Sequence, residues 1–125
     1  MALFLTVSCS KKLNFSTSTI VPAADGSIKY KKSDNGNYAV DIKILHLAEP
    51  KKLVPSRNHY VVWMQTESNG IKNLGQITTS TGLFSNTLKS SLKTVTPFKP
   101  KSFFITAEDD ANISYPGTQV VLRAE

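Results

Sequence analysis

The chain has 125 residues, enough for one domain with its own hydrophobic core. Its single cysteine, Cys9, excludes an internal disulfide and a cysteine-based zinc cage. The formal net charge is +6, yet only Arg57 and Arg123 among the 15 basic residues are arginines. The lysines read as scattered along strands and loops, which argues against a nucleic-acid binder.

The chain opens with an apolar run, Met1-Ala-Leu-Phe-Leu-Thr-Val-Ser8, that stops at Cys9 and is followed by Ser10, Lys11 and Lys12. An apolar run, a small residue and a lone cysteine have the form of the end of a bacterial lipoprotein signal. On that reading residues 1–8 are a truncated or degenerate signal peptide. Cys9 then becomes the lipidated, palmitate-bearing first residue of a mature protein on the periplasmic side of a cell membrane. Two departures stand out: Thr6 occupies the place where an aliphatic residue usually precedes the cysteine, and no basic residue opens the run. The competing reading makes residues 2–7 a first strand and Cys9 a small core residue.

Residues 9–24, rich in Ser and Thr, read as a tether with an edge strand at 16–21. Asp25-Gly26 signals a turn, and residues 27–32 a short strand. Asp34-Asn35-Gly36-Asn37 is the clearest turn of the chain, because Asn and Gly accept positive φ. After it Tyr38, Val40, Ile42 and Ile44 alternate with Ala39, Asp41 and Lys43, the period of a half-buried strand. Residues 47–58 hold Pro50 and Pro55 and show no period, as a crossover loop between sheets does. Residues 60–66 are apolar on both faces, which predicts a central strand carrying Trp63. Ser68-Asn69-Gly70 turns into a strand at 71–79, and Ser80-Thr81-Gly82 into another at 83–88. Pro97 and Pro100 interrupt the next stretch. A strand at 101–107, an acidic loop ending at Pro116-Gly117 and a last strand at 118–123 complete the domain, residues 25–125.

No stretch holds a helical period. Seven or eight short strands separated by turns predict an all-β, immunoglobulin-like antiparallel β-sandwich. Trp63 is then expected to fill the core between the sheets, where such domains keep a tryptophan, but without the disulfide that usually accompanies it.

Four segments carry a family resemblance. They are His59-Tyr60-Val61-Val62-Trp63-Met64, Asn73-Leu74-Gly75-Gln76-Ile77, Lys101-Ser102-Phe103-Phe104-Ile105-Thr106-Ala107-Glu108 and Tyr115-Pro116-Gly117-Thr118-Gln119-Val120-Val121-Leu122. In this order they resemble the C-terminal extracytoplasmic domain of anti-sigma-K factors, over roughly residues 38–122. The family's helical sigma-binding domain and its membrane helix have no counterpart in these residues. The resemblance therefore implies the outer domain alone, a sensory or interaction module without catalytic residues and without anti-sigma activity.

The candidate chemistry is sparse. His46 and His59 have no metal-motif spacing and read as polar or capping residues. Glu108-Asp109-Asp110 with Asn112 offers oxygen ligands but matches no calcium loop, so a solvated acidic loop is expected and no cofactor or metal. No nucleophile motif or phosphate-binding loop occurs. Gly75 suggests a close backbone approach. Tyr30, Phe98 and Tyr115 are candidates for an exposed surface recognising an envelope protein or a glycan. Lys29, Lys31 and Lys32 suit either lipid headgroups or protection of a strand edge. The expectation is a non-catalytic, lipid-anchored envelope module; the alternative is a carbohydrate-binding module or small hydrolase using the loops at one end of the sandwich.

Overall fold

Period-two alternation builds nearly everything in this chain. A computed structural model describes residues 10–81 and 88–125. Among them nine strands occur: β1 (Ser10–Asn14), β2 (Asp25–Lys32), β3 (Tyr38–Leu45), β4 (His59–Thr66), β5 (Ile71–Gln76), β6 (Thr78–Thr81), β7 (Leu88–Thr96), β8 (Pro100–Glu108) and β9 (Val120–Ala124). They form two antiparallel sheets, ordered β1-β2-β3-β7-β6 and β5-β4-β8-β9. With β1 set aside, this is the connectivity of an immunoglobulin-like sandwich, four strands facing four.

The core lies between the sheets. Ile28, Val40, Ile42 and Ile44 from the larger sheet share one buried cluster with Val62, Met64, Phe103, Ile105 and Leu122 from the smaller. Each such side chain contributes roughly 1.5–3 kcal/mol when fully buried. The hairpin β2–β3 forms as its alternation predicts, in register Ile28↔Ile42 and Tyr30↔Val40.

Several expectations need correction. The edge strand is β1, at Ser10–Asn14, so part of the expected tether belongs to the sheet. Residues 16–21 instead form a loop, held by the Ser18 hydroxyl accepting the N–H groups of Ile20 and Val21 at 3.1 and 2.9 Å. Residues 71–79 are not one strand. Ile77 is buried, its N–H bonds to the Tyr60 carbonyl, and the chain changes sheets there to become β6. Gly75 just before it has φ +129, a conformation that favours glycine, while a Cβ there would meet only the Leu92 side chain at 3.8 Å. Backbone conformation, not close approach, explains this glycine. The strand expected at 83–88 falls mostly outside the described residues.

The most consequential correction concerns Trp63. It is fully buried, yet it and Val61 stand apart from the inter-sheet cluster. On β4 it is Tyr60, Val62 and Met64 that face the other sheet; Trp63 pairs in register with Phe104 on the outer face. The rings of Trp63 and Phe104 stack, with centroids 6.4 Å apart.

Tyr60, 2% exposed, closes one end of the core and donates its hydroxyl hydrogen to the Ala48 carbonyl. Burial pushes its ionisation up from 10.0 to about 12. Below pH 10 the phenol is neutral folded or unfolded, and its contribution is intact. Between pH 10 and 12 the unfolded phenol ionises first, so stability falls as pH rises. Tyr60→Phe is expected to cost about 1–2 kcal/mol at neutral pH, because the Ala48 carbonyl loses its donor. It is also expected to flatten the alkaline decline. Urea denaturation of both proteins across this pH window checks both effects.

Candidate functional site

The β8–β9 loop is where the expected acids gather, and the structure shows what each one holds. The loop leaves β8, hooks onto β5 and returns to β9. Asn73 on β5 donates from Nδ2 to the carbonyls of Ala111 and Ile113, at 3.0 and 2.9 Å. In the order β5-β4-β8-β9 this path crosses the outer face of β4, which is why Trp63 is covered. A hydrogen-bonded chain runs beneath. Trp63 Nε1 donates to Thr106 Oγ1 at 2.8 Å, the Thr106 hydroxyl donates to Glu108 Oε2 at 2.6 Å, and the Gly117 N–H donates to that same oxygen at 2.8 Å.

Glu108 is thus an anchor that ties the end of the loop to the strand below it. Asp109 pairs with Arg57 at 2.9 Å, and Arg57 Nε also donates to Gln119 Oε1 at 2.9 Å. Asp110 accepts the Asn112 N–H at 2.9 Å, which makes a local turn. Among the described residues no group of three or more His, Cys, Asp or Glu side chains converges as metal ligands. Glu108→Ala leaves a donor unsatisfied on Thr106 and another on Gly117. It is expected to cost about 1–3 kcal/mol and to speed amide exchange at Gly117. Asp110→Ala, on the exposed part of the loop, is expected to stay within about 0.5 kcal/mol of the parent.

The histidines occupy different sheets. His46 is exposed at the end of β3, at φ 59, and its N–H donates to the Leu88 carbonyl at 3.0 Å. It turns the chain out of the sheet. His59 opens β4 directly opposite Glu108, and its buried Nδ1 has no hydrogen-bond partner. The neighbouring carboxylate is engaged by Thr106 and Gly117.

Of the aromatic candidates, Tyr30 and Phe98 are half-buried and pack against the core. The Tyr30 ring lies 5.8 Å from that of Phe103, and Lys72 Nζ sits 4.6 Å over Phe98. Only Tyr115, 84% exposed on the β8–β9 loop, offers a ring to solvent among the three.

Some of the lysines gather on one face. Lys29 and Lys31 lie on the outer face of β2, and β1 pairs along that strand from Ser10↔Lys31 to Asn14↔Ser27. β2 is therefore no edge, and edge protection does not explain them; Lys32 sits at the hairpin end opposite Tyr38. Lys43 on β3 and Lys89 and Lys93 on β7 join the same face. Sequence reasoning missed these three as a group because β7 was not recognised as a strand. The spacing Lys89-x-Ser91-x-Lys93-x-Val95 is the signal that would have found it.

Cys9 lies outside the described residues. No family model, curated protein or solved structure matches the chain.

Proposed function

We propose that the chain is a non-catalytic sensory or interaction domain, held on the periplasmic side of a bacterial envelope by lipid on Cys9. In this reading it is akin to the outer domain of anti-sigma-K factors. The observation that carries the non-catalytic reading is the engagement of Glu108 and Asp109. Both are committed to bracing the β8–β9 loop over Trp63, through Thr106, Gly117 and Arg57.

The anchor is supported by the apolar run that ends at Cys9. An acyl group on Cys9 is one peptide bond from the edge of the five-stranded sheet. The attachment would hold the domain close to the bilayer instead of on a long tether.

The test is metabolic labelling with a fatty-acid analogue in a bacterial host, using the full reading frame and its Cys9→Ser variant. Label in the parent and none in the variant supports the anchor. Equal label in both, or none in either, overturns it.

A further inference from the structure

We propose that the outer face of the five-stranded sheet is a docking surface for an anionic phospholipid bilayer. Register assembles it from strands far apart in the chain. One row across the face runs Lys12, Lys29, Asp41, Lys93; the next runs Ser10, Lys31, Ala39, Val95. Lys43 lies on the other side of the first row, and the row beyond it runs Asp25, Leu45, Lys89. All these lysines are exposed. Neighbouring strands are about 4.8 Å apart and same-face residues about 7 Å apart along a strand. Each ammonium group therefore falls within about a Debye length, 8–10 Å, of its nearest neighbours on the face, and neighbouring potentials add.

Folding alone does not account for this arrangement. β3 is paired on both sides, and β6 pairs β7 from Leu88 to Ser91, so Lys43 and Lys89 guard no edge, whereas Lys93 lies where β7 runs past β6. Lys12 and Lys29 are direct cross-strand partners of like charge, which destabilises a sheet. Asp41 stands in register between Lys29 and Lys93, yet among the described residues it forms no ion pair with either. A layer of phosphates outside the face relieves this repulsion.

The rest of the face fits lipid better than nucleic acid. The short side chain of Ala39 leaves a shallow hollow of about 470 Å³ framed by Ser10, Lys31, Lys93 and Val95. Val95 is 64% exposed there. Lysine stems and a valine suit the headgroup boundary, where ammonium groups reach phosphates while methylenes cover apolar ground. Strand-tracking nucleic-acid sites use arginine forks and stacked aromatics. This face presents neither among the described residues. Arg123 lies on the other sheet over Phe104, and Arg57 is paired with Asp109.

The experiment uses the full chain carrying Cys9→Ser, so no acyl group takes part. Partition is measured by co-sedimentation with vesicles of phosphatidylglycerol and phosphatidylcholine, or of phosphatidylcholine alone. Binding is expected on the anionic vesicles only, and salt weakens it. Lys29→Gln/Lys93→Gln is expected to reduce partition roughly 10- to 30-fold, from the usual contribution of each lysine near an anionic surface. Lys43→Gln/Lys89→Gln is a second pair on the same face with the same expectation. Lys51→Gln/Lys52→Gln, in the turn after β3, removes equal charge elsewhere and is expected to leave partition within about 3-fold of the parent.

Equal binding to neutral vesicles, no binding to anionic ones, or equal loss from the Lys51/Lys52 pair overturns the proposal. So does release of the protein from vesicles by a single-stranded oligonucleotide at matched charge concentration, which would make nucleic acid the preferred partner. Because the chain tested is not acylated, failure here leaves the Cys9 anchor standing, and failure of the anchor leaves this face untouched.

Discussion

Trp63→Ala is expected to cost about 3–5 kcal/mol, although Trp63 stands outside the core between the sheets. The side chain is fully buried, and the space it fills is bounded by Phe104 and by the loop hooked onto Asn73. Truncation removes the stacked ring and the N–H that Thr106 accepts, and it takes the floor from beneath the loop. For a domain whose total stability is of order 5–15 kcal/mol, that is a large fraction. Trp63→Phe keeps most of the packing and loses the indole N–H; about 1–2 kcal/mol is expected. Trp63 is the only tryptophan, so both variants are followed by circular dichroism in urea, not by fluorescence. A cost below about 1 kcal/mol for Trp63→Ala would contradict the outer face of β4 as a second buried layer. Amide exchange separates the layers further. In Trp63→Ala the Gly117 amide is expected to lose more protection than the amides of β3.

Gly26→Val is expected to be comparably damaging, costing about 3 kcal/mol or more, with Gly26→Ala at about 1–3 kcal/mol. Asp25-Gly26 reads as a turn in the sequence, but Gly26 lies within β2, opposite Ile44. A Cβ there would come within 2.6 Å of the Lys43 carbonyl oxygen, 2.7 Å of Ile44 Cγ1 and 2.9 Å of Ile44 Cα. Two of these three atoms are backbone, so relief requires the β2–β3 pair to part. Gly36→Ala is the control. Nothing lies within 4 Å of a Cβ at Gly36, and its φ of +85 charges only the backbone strain, about 1–2 kcal/mol. Thermal or urea unfolding of the three variants orders them. If Gly26→Ala matched the parent, the close pairing of β2 with β3 would be wrong.

The two glycines show what local pattern conveys. Asp34-Asn35-Gly36-Asn37 is legible because a tight hairpin leaves its chemistry in consecutive residues, and the Ser33 N–H bonds to the Asn37 carbonyl as a hairpin requires. Gly26 is not legible, because the atom that excludes its side chain belongs to Lys43. β7 was missed for a related reason. Its inward positions include Ser90, Thr94 and Thr96, so the alternation that marks a strand is polar on both faces. Ser90 finds its partner only across the sheet, in Thr79 at 2.9 Å, while Thr96 accepts the N–H of Phe98 two residues on, at 3.3 Å.

Alternation along β3, the hairpin turns and the two apolar faces of residues 60–66 determined, without any structure, that this chain builds antiparallel sheets, that β4 is central, and which residues share a face. Only the tertiary structure decided which face of β4 meets the other sheet, and that Trp63 lies on the opposite one under a loop. It also decided that lysines from β1, β2, β3 and β7 converge on one surface. The reason is physical. A side-chain period of two depends on one strand's own backbone, whereas a face's partner and its summed charge depend on pairings such as Asp41↔Lys93, between residues half a chain apart.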